Sequence, residues 1–354
     1  MPTRLYLRPT GFVDAPFGHD GMVLRLAGGL TWFSQIEVIR VEDGRRVRQE
    51  LVAVERLDAA LDADGQAILA RLMAPRPALQ LGARTIRLDQ PQVAGILNVT
   101  PDSFSDGGEH ADPLGQAVTM LGQGAALIDV GGESTRPGAK LVWEGDEVAR
   151  VAPVIAALAP TGAAISIDTR KAAVMAAALD AGAHMVNDVS ALTWDGEAAA
   201  LVAARGCPIV LMHHKGTPET MQAEARYGDV LIEVYDWLEA RIEAAVAAGI
   251  DRARIVVDPG IGFGKTVRHN LALLNGLSLF HGLGCPLMLG ASRKRTIGAL
   301  SGEAGPDERL GGSIALAVLA AAQGVQLLRV HDVFETVQAL RVWRGLRDEA
   351  LSPV

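Results

Sequence analysis

From about residue 93 the chain alternates short apolar runs with polar or glycine-rich loops and helical stretches rich in alanine and leucine. The runs are Val93–Val99, Ala125–Val130, Ala164–Asp168, His184–Asp188, Pro208–His213, Arg254–Asp258, Pro286–Ala291 and Val325–Val330. Being apolar almost throughout, they fit parallel strands covered on both faces better than strands of a half-exposed sheet. Helical periodicity marks Pro113–Gly124, Asp146–Leu158, Lys171–Ala181, Asp229–Ala248 and Ile314–Gln323 between them. Eight strand–helix units in roughly 255 residues match a (β/α)8 TIM barrel. The alternative, a doubly wound sheet, usually carries fewer strands and a G-x-G-x-x-G turn after the first. No such turn follows Val93–Val99.

Residues 1–90 form a separate small α+β region in this reading, ahead of a barrel spanning 91–354. Strands are expected at Val23–Leu26, Thr31–Arg40, Val47–Val54 and Leu79–Leu88, with a helix over Arg56–Met73 and a hinge at Ala74-Pro75-Arg76-Pro77. No motif here carries chemistry, so packing or assembly is the expected role. A chain starting near Gln90 is expected to retain turnover if it stays soluble.

Barrel enzymes build their sites at the C-terminal ends of the strands. Those ends carry Asn98, Asp129, Asp168, Asn187 with Asp188, His213, Asp258, Ser292 with Arg293 and Lys294, and Arg329 with His331. One or two such residues would serve as helix N-caps. Carboxylate, amide and cation at nearly every strand end exceeds that need and implies a polar pocket of mixed charge.

Composition narrows the partners. Lys+Arg total 33 against Asp+Glu 41, a net charge of −8, and no long basic run occurs. Nucleic acid and anionic membrane are therefore excluded as expected partners. Aromatics make up only 4% of the chain, too few for a base-stacking platform. The longest apolar run, Ile314–Ala322, is about nine residues, less than half a membrane span. The N-terminus lacks a signal-peptide core. Cys207 and Cys285 each open an apolar run, as buried reduced thiols do. A cytoplasmic protein is expected.

The loops say what the pocket would hold. Ser292-Arg293-Lys294-Arg295 and Arg329-Val330-His331 follow the seventh and eighth strands, where barrels commonly bind phosphate. A solvated basic turn would account for Arg295 and for Arg293. Asp168, Asn187 and Asp258 would face the centre from strands three, four and six. Two carboxylates and an amide suit a heterocycle with a donor-rich edge. Two motifs mislead: DPGIGFGKT lacks a P-loop because Pro259 stands where glycine is required, and His213-His214 would point to opposite faces of a strand. With no zinc-type cluster, oxygen ligands and a diphosphate would favour magnesium.

One loop is too long and too polar for a plain connection: GILNVTPDSFSDGG, Gly95 to Gly108. Together with IDVGGESTRPGA, SIDTRK, NDVSA, DPGIGFGK, GASRK and RVHDV, in this order, it resembles dihydropteroate synthase of folate biosynthesis, over about Pro91 to Gly345. The resemblance implies condensation of 6-hydroxymethyl-7,8-dihydropterin diphosphate with 4-aminobenzoate, releasing pyrophosphate, with Mg2+ as cofactor. It places Asp168, Asn187, Asp258 and Lys294 on the pterin. Asn98 would ligate the magnesium on the diphosphate, with Arg329 and His331 on the same anion. Ser292, Phe263 and Pro137 would line the aminobenzoate site. Asp106, Thr135 and Arg136, with Lys294, would surround the reacting centre, and Phe104 would cover the aminobenzoate.

No covalent nucleophile is needed, and no Ser–His or Cys–His pair is expected. A homodimer is expected as well. Two features depart from the resemblance: the long N-terminal region, and Met212-His213-His214 where the family has Met-His-Met. Two other functions compete. One is a pterin-dependent methyltransferase, which needs no diphosphate subsite; the other is a non-catalytic pterin-binding scaffold.

Overall fold

The computed structural model describes residues 3–99, 112–134, 141–217, 220–221 and 223–352. An N-terminal sheet comes first: β1 Arg4–Val13, β2 Leu24–Arg25, β3 Trp32–Glu42 and β4 Arg45–Ala53, all paired antiparallel with β3. Two helices follow, α1 Leu57–Ala60 and α2 Ala63–Met73, and then a hairpin of β5 Leu79–Leu81 and β6 Arg84–Ile86.

The barrel strands are β7 Gln92–Asn98, β8 Leu127–Gly131, β9 Ile165–Asp168, β10 Met185–Asp188, β11 Ile209–Met212, β12 Ile255–Asp258, β13 Met288–Leu289 and β14 Leu327–Val330. They pair in parallel in the order β12-β11-β10-β9-β8-β7-β14-β13. A parallel bridge between Val257 and Leu287 joins the two ends, so the sheet closes. Helices α3 Pro113–Gly122, α4 Glu144–Leu158, α5 Ala172–Asp180, α6 Ala198–Arg205, α7 Val230–Ala247, α8 Val267–Asn275, α9 Arg295–Leu300, α10 Leu310–Ala322 and α11 Val333–Ala350 lie between and after the strands. The eight expected runs are the eight strands, each within a few residues.

Successive strand residues face opposite sides, which explains the unbroken apolar runs. Ile128, Val130, Ile165, Ile167, Ile209, Leu211, Ile255 and Val257 belong to the large core shared with the helices. The other face is the barrel interior, where Ala94, Leu127, Ala164, Met185, Val210, Val256, Met288 and Leu327, one per strand, form a second core.

That interior core contains four more residues: Leu79, Leu81, Ile86 and Leu88. The hairpin β5–β6 thus plugs the floor of the barrel, turning at Gly82 in the left-handed region (φ +62°). This corrects the expectation of one strand over Leu79–Leu88. A chain beginning near Gln90, expected to retain turnover if it stays soluble, would lack these four residues of the interior core. The sequence grouped the hairpin with the extension because two three-residue strands are too short to show a period.

Three further corrections concern the N-terminal region. Its first strand, β1, was not expected, since Pro9 and Gly11 interrupt the run; β1 is an edge strand, where proline is tolerated. The single helix over Arg56–Met73 breaks at Asp62, whose side chain caps α2 by accepting from Gly65 N at 2.9 Å. The hinge at residues 74–77 is clamped: buried Arg76 donates to the carbonyls of Arg71, Ala74 and His281 at 3.0, 3.0 and 2.9 Å. Burial lowers its pKa to about 10.

The N-terminal sheet packs on the barrel wall around α7. Tyr6 Oη donates to Asp236 at 2.7 Å, Arg4 pairs with Asp236 and Glu239, and Arg46 Nε donates to Asp229 at 2.5 Å. Asp229 also caps α7, accepting from Leu231 N and Ile232 N.

Candidate active site

On several strands the interior face changes from apolar to polar two residues above the floor. Leu127 is followed by Asp129, Met185 by Asn187, Val256 by Asp258 and Leu327 by Arg329; on β9, Ala164 gives way to Ser166 and then Asp168. A period of two therefore puts these polar side chains on one axis at the mouth.

Arg329 is the hub. Its Nε donates to Asp129 Oδ2 at 2.6 Å and its Nη2 to Asp168 Oδ2 at 2.7 Å. Asn187 Nδ2 donates to the same Asp129 oxygen at 3.0 Å. Burial alone would lower the Arg329 pKa, but the two carboxylates hold it above its ordinary value. Burial pushes Asp168 up to about 7, against the pull of Arg329 and with a push from Asp129. Asp258 is raised by burial too, and its Oδ1 accepts from Gly260 N at 2.7 Å.

Three acceptors remain available at the mouth. The Oδ1 atoms of Asp129 and Asp168 are buried with no hydrogen-bond partner among the described residues, and Oδ2 of Asp258 faces Gly290. Space is left beside them. A Cβ on Gly131 would lie 3.6 Å from that of Asp168, and one on Gly290 3.8 Å from Asp258 Oδ2.

Lys294 donates to Ile261 O and places its ammonium 4.6 Å from the centroid of the Phe263 ring. Burial draws its pKa down to about 8, although Asp258 works the other way. Ser292 Oγ accepts from His331 N at 3.2 Å and lies 3.1 Å from His331 Nδ1. This Ser–His contact corrects the expectation that none exists; it clasps the ends of β13 and β14 together. Arg293 does not face the mouth: it bonds Asp332 and Asp307 from a left-handed backbone (φ +56°). Asn98 is exposed at the end of β7, with its Oδ1 3.8 Å from a Cβ built on Gly131.

The structure thus gathers Asp168, Asn187, Asp258, Lys294, Ser292, Phe263, Arg329, His331 and Asn98 around one opening. Phe104, Asp106, Thr135, Arg136 and Pro137 lie outside the described residues. Asp129 was noted as a strand end but given no role; its position two residues above Leu127 is the signal that would have found it.

Other motif residues serve the scaffold. Asp188 accepts from Ser190 N, Ser190 Oγ and Leu192 N, which makes it a turn residue. Buried Lys171 donates to Glu147 at 2.6 Å and to Val142 O at 2.7 Å, while Glu133 accepts from Val142 N at 2.9 Å. Both flanks of residues 135–140 are held in this way. His213 and His214 do not diverge as expected, because β11 ends at Met212: both rings approach Trp237, at 4.9 and 5.8 Å. Neither is arranged for a metal, since His213 Nδ1 is taken by Lys265 at 2.8 Å.

Comparison with known proteins decides among the functions such a mouth could serve. The family model for pterin binding enzymes matches residues 94–331. Dihydropteroate synthase of Escherichia coli strain K12 is 48% identical over 262 residues, 73% of this chain and 92% of that protein. The chain belongs to the dihydropteroate synthase family. Dihydropteroate synthase of Yersinia pestis, solved with a sulfonamide drug, matches with a TM-score of 0.73 and 46% identity, covering 77% of this chain and 99% of that one. The Xanthomonas albilineans enzyme, solved with 7,8-dihydropteroate, matches with a TM-score of 0.70 and 45% identity over 77% and 99%. Membership of the synthase family decides for the synthase reading over the methyltransferase and scaffold readings.

Proposed function

We propose a specific role for each side chain at the mouth in dihydropteroate synthesis, the family's condensation of 6-hydroxymethyl-7,8-dihydropterin diphosphate with 4-aminobenzoate. The observation that carries this reading is the set of acceptors on Asp129, Asp168 and Asp258 gathered at the strand ends of one barrel mouth. A pterin offers ring N–H and amino donors along one edge, and buried acceptors without partners are costly until such donors arrive. Asn187 holds Asp129 in place and contributes an amide, and Lys294 reaches the pterin from the opposite wall.

Arg329 and His331 bind the diphosphate. As the C–O bond breaks, negative charge grows on the departing pyrophosphate, and fixed cations in a water-poor site stabilise it strongly. Phe263 and Ser292 hold the aminobenzoate so that its amine meets the exocyclic carbon, which makes positioning the main catalytic contribution. In this proposal Asp106, Thr135 and Arg136 act with Lys294 at the reacting centre, and Pro137 and Phe104 serve the aminobenzoate.

Among the described residues no group of three His, Cys, Asp or Glu is arranged to hold a metal ion. That fits Mg2+, which dehydrates reluctantly and is commonly held by one or two protein oxygens plus substrate phosphates. Asn98 would supply the side-chain oxygen, and a bound ion would neutralise charge on the leaving group.

We place the end of the N-terminal extension near residues 74–77, with the hairpin assigned to the barrel. The protein is cytoplasmic in this reading: both cysteines are free and buried, and no helix among the described residues is long and apolar enough to cross a membrane. A homodimer is proposed through α10 and α11. Helix α10 carries no charged residue, and Leu319, Val342 and Leu346 are exposed. Sedimentation of Leu319→Glu as a dimer like the wild type would rule this surface out.

Product formation from the two substrates, with and without Mg2+, tests the activity. Arg329→Ala tests the diphosphate subsite: pyrophosphate affinity should fall about ten- to hundredfold, as for a lost charge-assisted contact, with a smaller loss for the unphosphorylated pterin alcohol. Equal losses would assign Arg329 a structural role.

A further inference from the structure

The turn after β12, residues 259–265, is held at several backbone groups by side chains from outside it. Asp258 accepts from Gly260 N at 2.7 Å, Asn270 accepts from Gly262 N at 2.9 Å, and Tyr227 Oη donates to Gly264 O at 3.0 Å. Gly260 sits at φ +68°, and a Cβ there would lie 1.8 Å from His213 O, so only glycine fits. At the centre of the turn is Lys265, a buried lysine with no role in the chemistry described above. Its Nζ donates to Gly260 O at 2.8 Å and to Phe263 O at 3.0 Å, and lies 2.8 Å from His213 Nδ1.

An ammonium group has three N–H donors; here they face His213 Nδ1, Gly260 O and Phe263 O, with His213 O a longer fourth contact at 3.4 Å. That arrangement fixes the His213 tautomer, with the proton on Nε2 and Nδ1 as acceptor. Burial and the nearby Lys294 charge draw the Lys265 pKa down, while Asp258 offsets part of this. A lysine is rarely kept in such a place without a purpose, because removing its charge from water is costly. The Lys265 ammonium is engaged by His213 and by two carbonyls of its own turn, which leaves no N–H to direct at a substrate. What it controls is the two carbonyls that bracket Ile261 and Phe263. Ile261 O accepts from Lys294, and the Phe263 ring lies against the Lys294 ammonium.

We infer that Lys265 is the positioning residue of the aminobenzoate subsite: by fixing the carbonyls of Gly260 and Phe263 it sets the Phe263 ring against Lys294. This rests on the reading of Phe263 as part of that subsite. A misplacement of about 1 Å in a substrate-positioning group is enough to cost up to a hundredfold. Lys265→Met keeps the length and apolar stem while removing all three donors.

The test measures kcat, KM for 4-aminobenzoate and the affinity for the pterin alcohol in Lys265→Met and Phe263→Ala. In Lys265→Met, KM for 4-aminobenzoate should rise about tenfold or more, with kcat and pterin affinity each within about threefold of wild type. Phe263→Ala should raise the same KM. A Lys265→Met enzyme with lowered kcat and unchanged KM, beside a Phe263→Ala enzyme with raised KM, would show Lys265 to be structural only and leave the subsite reading intact. Unchanged KM in Phe263→Ala would remove Phe263 from the subsite and this inference with it. If Lys265→Met does not fold, Lys265→Gln, which keeps two donors, takes its place. It should raise KM about threefold, and an unchanged KM would overturn the proposal.

Discussion

The floor and the mouth of the barrel are built by the same strands, on the same interior face, only two to four residues apart. At the floor, eight apolar side chains meet the four of the β5–β6 hairpin, and the core is closed. At the mouth, the next interior positions hold Asp129, Asp168, Asn187, Asp258 and Arg329, and buried carboxylate oxygens have no partner among the described residues. One end gains stability from burial, while the other keeps polar groups that are costly until a ligand satisfies them. Stability and recognition are thus separated along the barrel axis, and each end should fail differently.

The sharpest way to break this contrast is at the floor. A chain starting at Gln90 loses Leu79, Leu81, Ile86 and Leu88, each contributing about 1.5–3 kcal/mol of burial. Their sum rivals the whole stability of a typical domain, about 5–15 kcal/mol, so this chain should not yield soluble folded protein. A monomeric truncation at Gln90 with a cooperative thermal transition near that of the full chain would refute the plug.

Single substitutions can then separate the two ends. Leu81→Ala, at a fully buried position, should cost about 2–5 kcal/mol of stability and leave the dissociation constant for the pterin alcohol unchanged. Asp258→Asn should do the reverse, losing about 1–3 kcal/mol of pterin binding as a donor faces a donor. Denaturant unfolding and calorimetry on both variants would show a crossed pattern; parallel losses in both would erase the distinction.

A smaller effect follows from Asp168. Its pKa in the folded protein is raised to about 7 from an ordinary 3.8, so the folded state holds a proton that the unfolded state has released. Its contribution to stability is fully present below about pH 4 and is lost as pH rises through 7. The ligand-free Tm should therefore fall between pH 4 and 7, and fall less in Asp168→Asn. Identical slopes for the two proteins would place this titration outside the window.

The smallest effect is expected far from either end. Arg46 pairs with Asp229 where both side chains are partly exposed, with relative exposures of 29% and 20%. Arg46→Ala should change stability by about 1 kcal/mol or less and leave both KM values as they are. A large rise in either KM would mean that the extension acts on the site through α7.

Much of the site was legible because strand ends and period two are local properties. The carboxylates, the amide, Arg329 and His331 each stood in or next to an apolar run, Lys294 stood three residues beyond one, and motif order supplied their proposed roles. Asp129 was visible but unassigned; its place two residues above Leu127 puts it on the interior face, and its bonds to Asn187 and Arg329 show what it does there. Lys265 was set aside with a failed P-loop match, and its neighbours in space, His213 and Gly260, come from two different strand ends.

By itself the sequence determined the barrel, its strand order and the polar ring at its mouth, because alternation along a strand decides which residues share a face. The tertiary structure decided what closes the floor, which of the motif charges face the ligand and which brace the loops, as Lys171 and Arg293 do. These depend on contacts between residues far apart in the chain, such as Leu81 with the strand starts, or Arg293 with Asp332. Periodicity reports the environment of one segment; it carries no record of which other segment supplies that environment.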